Sequence, residues 1–316
     1  MFGVFYMTIL IDWGTETLRW SADKESFSMP NLAVSISSRQ KVCAVGNEAA
    51  TLLREHPEFH AIIPPPGFLF ADPEAIAAQQ HEILHQTAHE KPWWKRLLQP
   101  RVFATVPLGT TELEARGFSN MLKQETQCVI LLEAPTAAAV GCGYRLEDER
   151  LFAVLDLGAG FSQLAVFQKG KMLCSSVLRI GGRDLDVALK RHCEKAYAAN
   201  LSSEEVRNVK TIWNRHDSFR IGSLHLEQSK LRKLWTPHWE QVAKMIGDTL
   251  SDPALRREVT DRGVIMTGGL SQMPGLGEFL SEQLGICFQT AKNPSGAVLR
   301  GLQKLLPKLP TDVWRY

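Results

Sequence analysis

Thr8-Ile9-Leu10-Ile11-Asp12-Trp13-Gly14-Thr15-Glu16-Thr17 and Leu151-Phe152-Ala153-Val154-Leu155-Asp156-Leu157-Gly158-Ala159-Gly160-Phe161-Ser162 decide the fold. Each is an apolar run that reads as a buried strand, reaches an Asp, and enters a Gly turn flanked by hydroxyl side chains. Glycine lets backbone N–H groups approach phosphate oxygens, and successive turn amides form a concavity for anions. A carboxylate at each strand end suits Mg²⁺, a hard ion that keeps much of its water shell. One Asp-x-Gly turn says little. Two of them in matching strand contexts, one in each half of the chain, point to duplicated domains that grip one nucleotide between them.

Outward from these turns, the sequence alternates strands and helices, which implies parallel pairing and an α/β architecture. Leu18 to Val45 reads as short strands, and Asn47 to Glu55 as a brief helix. Pro73 to Ala88 reads as a helix capped by Asp72, with Pro at its first position. Arg101 to Pro107 and Cys128 to Leu132 are compact buried strands, separated by a helix from Thr110 to Gln124. Pro135 to Gly143 is a helix of small residues that lets neighbouring elements pack closely. The second half repeats this order. Its strands are Gln163 to Gln168 and Met172 to Ile180, joined at Lys169-Gly170-Lys171, and Gly181-Gly182 leads into a helix from Arg183 to Tyr197. Ser202-Ser203-Glu204-Glu205 is a capping pattern, and Thr211 to Leu226 is weakly patterned. A helix from Glu227 to Leu250 is expected to break near Pro237. A strand from Arg262 enters the turn Gly268-Gly269, and helices follow at Leu276 to Leu284 and Ser295 to Leu306.

Composition excludes several classes of protein. The chain has 316 residues, enough for two domains with proper cores, and its 44% hydrophobic and 22% charged residues are those of an ordinary globular protein. A net charge of +2 gives no electrostatic reason to expect a nucleic-acid partner. The six cysteines are scattered without metal-ligand spacing and read as reduced small hydrophobes. The opening Met1 to Met7 is apolar but lacks a basic region, so it reads as more of the first strand, with a short membrane-touching leader as the alternative. A signal peptide needs that basic region, and a membrane span needs about 20 apolar residues.

Five segments, in order, resemble the bacterial actins, and among them the MreB family. They are Leu98 to Glu114, Leu132-Glu133-Ala134-Pro135-Thr136-Ala137-Ala138-Ala139-Val140-Gly141, Ile180-Gly181-Gly182-Arg183-Asp184-Leu185-Asp186, Gly263 to Gly275, and Asn293-Pro294 to Gly301. The resemblance implies an actin-like fold: two duplicated ribonuclease-H-like domains with a nucleotide cleft between them. Domain I would span 1–145 with a small subdomain at about 31–64, and domain II 146–296 with a small subdomain at about 198–250. A C-terminal helix in 297–316 would return to domain I.

The resemblance also implies ATP and Mg²⁺ as cofactors. Gly14, Thr15, Glu16 and Thr17 would hold phosphates from one side, and Gly158, Ala159 and Gly160 from the other, with Asp12 and Asp156 holding Mg²⁺ through water. Glu204, Glu205 and Arg207 would lie near ribose and adenine, and Gly268, Gly269, Leu270 and Ser271 would line the adenine side. The implied function is a cytoplasmic, membrane-associated filament that organises cell-wall synthesis and cell shape. Its partners would be further copies of itself, the inner-membrane surface and membrane proteins of cell-wall elongation. A monomeric chaperone-like or reactivase-like ATPase of the same superfamily is the alternative. A sugar or acetate kinase is a third reading, but no motif for its substrate pocket is present.

Three departures from the family pattern bear on activity. The family's Glu-Glu-Pro before the connecting helix is Glu133-Ala134-Pro135 here, and a methyl group cannot accept a hydrogen bond from the attacking water. Loss of that group predicts slow hydrolysis, because phosphoryl transfer depends mainly on positioning and electrostatics. Glu133 or Gln163 could take over the water. In the second turn, Phe161 puts bulk where the family has a hydroxyl. Thr211 to Leu226 is shorter than the family's small subdomain, a region that contributes to longitudinal contacts in actin-like filaments.

Lys91-Pro92-Trp93-Trp94-Lys95-Arg96-Leu97-Leu98 interleaves bulky apolar and basic residues before a strand. Trp favours the bilayer interface, and a Lys or Arg gains roughly 1 kcal/mol near anionic lipid. Trp93, Trp94, Leu97 and Leu98 are therefore the expected membrane contact, with a core cap or a protein contact as the alternative.

Overall fold

The computed structural model describes residues 7–23, 25–37, 41–64, 72–88, 99–222 and 224–306. The chain divides into two compact units, Met1–Gly141 with Val298–Tyr316, and Cys142–Ala297.

In the first unit the strands are β1 (Thr8–Trp13), β2 (Thr17–Ala22), β3 (Glu25–Pro30), β4 (Ala33–Ser35), β5 (Val42–Val45), β6 (His60–Ile62), β7 (Arg101–Val106) and β8 (Cys128–Glu133). The helices are α1 (Gly46–Glu55), α2 (Pro73–Ala88), α3 (Glu112–Leu122) and α4 (Ala134–Gly141). The main sheet has the order β3-β2-β1-β7-β8. Its first three strands pair antiparallel, and β7 and β8 add in parallel. Ile9, Ile11, Val102 and Ala104 alternate onto one sheet face, where they pack with Ile76 and Ile83 of α2 and Phe118 and Leu122 of α3. A separate three-stranded sheet, β5-β4-β6, carries α1 over a small core of Val34, Ala44 and Ala49.

The second unit repeats the plan. Its strands are β9 (Phe152–Leu157), β10 (Ser162–Gln168), β11 (Lys171–Leu178), β12 (Ser218–Ile221), β13 (Leu224–Glu227), β14 (Val264–Thr267) and β15 (Phe288–Thr290). Its helices are α5 (Gly182–Tyr197), α6 (Ser203–Ile212), α7 (Gln228–Thr249), α8 (Pro253–Arg262) and α9 (Leu276–Leu284). The main sheet runs β11-β10-β9-β14-β15, again with three antiparallel strands followed by two parallel ones. The weakly patterned stretch after α6 holds the β12–β13 hairpin. The last helix, α10 (Ala297–Leu305), belongs to the first unit from Val298 on.

Helix starts follow their caps. Thr111 accepts from the Glu114 N–H while the Glu114 carboxylate accepts from the Thr111 N–H, so α3 begins at Glu112. Asp72 accepts from the Glu74 N–H at 2.8 Å, which fixes the start of α2 at Pro73.

Three expectations change. Helix α7 does not break at Pro237 but continues through it. An interior proline costs about 3 kcal/mol, yet Leu231, Trp235, Trp239, Val242 and Ile246 are all buried along one face, and each such side chain contributes about 2–3 kcal/mol. Trp235 also donates its Nε1–H to the Leu185 carbonyl at 3.2 Å. Helix α8 was not expected; Asp252 caps it by accepting from the Leu255 N–H at 2.7 Å. Arg262 therefore ends a helix, and β14 starts after Gly263, whose positive φ of 80° turns the chain.

Among the described residues no helix is long and apolar enough to cross a membrane. Met1 to Tyr6 and the tryptophan stretch with Trp93, Trp94, Leu97 and Leu98 lie outside the described residues.

Candidate functional site

In the first unit, β1 delivers Asp12 to the end of a central strand. The carboxylate is 9% exposed, and Arg19, opposite it on β2, stands 3.9 Å away. Burial pushes its pKa up to about 6, against the lowering effects of Arg19 and a hydrogen bond with Thr105. Trp13 is buried edge-on against Phe118, with ring centroids 5.2 Å apart, and so anchors the strand end. The turn then needs Gly14, since a Cβ there would stand 2.6 Å from the Thr17 carbonyl oxygen. Thr15 is buried, Glu16 is exposed and Thr17 begins β2. Glu133 ends β8 opposite Val106, half-buried, with burial holding its carboxyl above the usual range. Ala134, the first residue of α4, is partly exposed.

In the second unit, Asp156 near the end of β9 is 7% exposed, and Gln163 lies directly opposite on β10. The Gln163 amide donates to Asp156 Oδ2 at 3.3 Å. The Gly158 N–H donates to the Phe161 carbonyl at 2.8 Å and closes the turn around Ala159 and Gly160. Phe161 is buried, and the Ser162 hydroxyl donates to the Ile180 carbonyl at 2.8 Å. That bond ties the turn to the chain entering α5.

Two more backbone segments close on the same turn. The Gly182 and Arg183 N–H groups donate to the Gly158 and Ala159 carbonyls at 3.0 and 2.9 Å. A Cβ on Gly181 would meet Ala159 and Gly158 backbone atoms at 2.5–2.7 Å, so this approach demands glycine. Gly268, with φ 82°, sits where any Cβ would collide with the Leu157 carbonyl and lie 2.8 Å from Asp156 Oδ1. Asp156, Gly158, Ala159, Gly160, Gln163 and Gly268 are thus brought together at one sheet end.

The other expected residues are placed less directly. Gly269 is exposed. Leu270 turns partly into the core of the unit, and the Ser271 hydroxyl donates to the Gly268 carbonyl at 2.7 Å. Glu205 caps α6: its carboxylate accepts from the Ser202 N–H at 2.8 Å, which holds it below the ordinary carboxylate range. Glu204 and Arg207 are exposed on the same helix.

Sequence reasoning missed Lys210 and Asp186. The Lys210 ammonium reaches the Gly182 carbonyl at 3.4 Å and Asp186 Oδ1 at 2.5 Å. It therefore stands beside the backbone that docks on the Gly158 turn. No local signal marks the pair, since Lys210 and Gly182 lie 28 residues apart and meet only in the fold.

Two units with the same strand order, each ending a central strand in Asp and a glycine turn, define an actin-like protein. Solved structures share this fold. MreB5 of Spiroplasma citri bound to ADP matches with a TM-score of 0.83 at 18% identity, over 96% of this chain and 97% of that one. The MamK double helical filament matches with a TM-score of 0.78 at 14% identity, over 97% and 100%. The family described as MreB/Mbl protein matches residues 7–216 and 221–312, and the chain belongs to that family. The cell shape-determining protein MreB of Escherichia coli (strain K12) is 25% identical over 292 residues, covering 85% of this chain and 82% of that protein.

Proposed function

We propose that this chain is an MreB-like actin that binds ATP with Mg²⁺, assembles into filaments at the inner face of the cell membrane, and serves cell shape and cell-wall synthesis. The observation that carries the nucleotide reading is the matched pair of strand ends, a buried Asp12 running into the Gly14 turn in one unit and a buried Asp156 running into the Gly158 turn in the other. The N–H groups of Gly158, Gly182, Arg183 and Gly268 donate to the Phe161, Gly158, Ala159 and Pro294 carbonyls and so brace the turn, and Ala159 and Gly160 at its tip are the residues whose amides would meet phosphate.

The residues present fit the group. Thr15, Glu16 and Thr17 would turn backbone amides and hydroxyls to phosphate oxygens in the first unit, and Ala159 and Gly160 in the second. Lys210 would neutralise phosphate charge. Gly269, Leu270 and Ser271 would face the adenine, with Glu204, Glu205 and Arg207 toward the ribose. Asp12 and Asp156 would hold Mg²⁺ through water, and the ion supplies positive charge to phosphate oxygens when bound. A cation near Asp12 would offset the cost of keeping that carboxylate ionised in a buried site. Ala134 leaves the attacking water without its usual acceptor. Glu133 has an elevated carboxyl nearby in sequence, and the Gln163 amide already donates to Asp156. Hydrolysis is therefore slow in this reading.

Filament formation draws support from the relatives: one solved neighbour is a double helical filament, and the curated relative is a cell shape-determining protein. Membrane contact rests on the composition of Lys91 to Leu98. Calorimetry with ATP and Mg²⁺ tests binding, and nucleotide-dependent light scattering with electron microscopy tests assembly. Micromolar ATP binding and ATP-dependent polymers are expected. Uptake without polymers would favour the monomeric ATPase. Vesicle co-sedimentation of wild type against the Trp93→Ala, Trp94→Ala double variant tests the lipid contact, and equal binding by both would remove it.

A further inference from the structure

The first phosphate-type turn is gripped from behind by a buried amide relay that the nucleotide reading does not use. Asn31, between β3 and β4, is 3% exposed. Its Nδ2 donates to the Gly14 carbonyl at 2.9 Å, and its backbone N–H donates to the Glu16 carbonyl at 2.9 Å. One residue thus holds both carbonyls that flank Thr15. Asn31 Oδ1 in turn accepts from Gln79 Nε2 at 2.9 Å, across 48 residues of chain, and Gln79 on α2 is also 3% exposed.

Two buried primary amides are costly to place unless they are paired, and a chain of them orders its members along one direction. The orientation of the Asn31 amide follows from its partners. The Gly14 carbonyl requires the NH₂ on its side, and the Gln79 donor then requires the oxygen on the other. Each end of the relay fixes the other. Fixing the carbonyls at 14 and 16 fixes the peptide planes that carry the following N–H groups, since each peptide is rigid. Those are the amides of Thr15 and Thr17. Anion binding by turn amides depends on such preorganisation, because amides held in place need no reordering when the ligand arrives.

We propose that Asn31 and Gln79 are positioning residues that aim the Gly14–Thr17 amides at the nucleotide's phosphates. This rests on the nucleotide reading above. The relay touches backbone only, so it acts on the phosphates and leaves recognition of adenosine alone.

The test uses the full-length protein and two ligands, ATP with Mg²⁺ and adenosine, which carries no phosphate. Gln79→Met keeps the side-chain volume but removes the donor, and Asn31→Ala removes the clamp. Each is expected to raise the Kd for ATP about tenfold and leave the Kd for adenosine unchanged. Gln79→Met added to Asn31→Ala should weaken ATP no further. A variant with the wild-type ratio of ATP to adenosine affinity, or full additivity in the double variant, overturns the proposal. Gln79→Leu removes the donor without introducing an ionisable group, and it serves if the other variants do not fold. Amide hydrogen exchange at Thr15, Glu16 and Thr17, measured without nucleotide, separates this proposal from the reading it rests on. Faster exchange in Gln79→Met supports the relay even if wild type binds no ATP, and unchanged exchange refutes it.

Discussion

At the scale of single residues, Asp12, one of the two carboxylates proposed to hold Mg²⁺, is held against its own preference. Its ordinary pKa is 3.8, and in the fold burial raises this to about 6. The folded protein therefore favours the neutral carboxyl. Its contribution to stability is full below pH 3.8, is lost as pH rises through about 6, and stays lost above that. At 1.36 kcal/mol per pKa unit the loss is at most about 3 kcal/mol at neutral pH. Asp12→Asn, which cannot ionise, is thus expected to be more stable than wild type by about 1–3 kcal/mol at pH 7.5 in urea without Mg²⁺ or nucleotide. At pH 3 the two proteins should unfold together. A difference independent of pH would mean that ionisation at Asp12 is not the strain. The same substitution is expected to weaken Mg²⁺-ATP binding, a trade of function against stability that marks site residues.

At the scale of elements, glycine positions distinguish tight packing from accident. The small residues of α4 suggest close approach in the sequence, and α10 makes it: a Cβ on Gly301 would fall inside the Ala137 carbonyl. Gly301→Ala must push two helix backbones apart and is expected to cost on the order of 3 kcal/mol in chemical denaturation. Gly117 in α3 has nothing near its missing Cβ. Gly117→Ala should therefore stabilise by about 0.5–1 kcal/mol through helix propensity. Strands β6 and β15, three residues each, carry too short a pattern to read, whereas the strands β1, β2 and β7 to β11, the cap at Asp72, the capping pattern at Ser202 and both Asp-Gly turns were legible because each signal is local. Helix α8 was not, because only Val259 of its ten residues is buried, which leaves no apolar period to read. Asp252-Pro253 is the one local signal that marks its start. Pro237 misled because the burial that overrides it comes from elements far away in sequence. The same limit hid Lys210 and the Gln79–Asn31 pair, whose partners are fixed only by the tertiary fold.

At the scale of the whole molecule, the proposed reading makes Ala134 bear on how long a filament would last. Contacts made through the γ-phosphate persist for as long as that phosphate does, and a ligand shifts an assembly equilibrium only through its differential affinity for the two states. A chain that positions the attacking water poorly should therefore keep its ATP-bound state after assembly. Polymers grown with ATP and with AMPPNP should then have similar lifetimes. Ala134→Glu restores the acceptor at a partly exposed helix start, where a carboxylate also suits the positive end of the helix dipole. It is expected to speed phosphate release by about 10- to 100-fold. Polymers of the variant should then decay in ATP but persist in AMPPNP. Phosphate release and light scattering recorded on one sample would follow both events. If wild type releases phosphate as fast as Ala134→Glu, another group already holds the water. Glu133→Gln and Gln163→Leu, each made in the wild-type background, would then identify it by which one abolishes turnover.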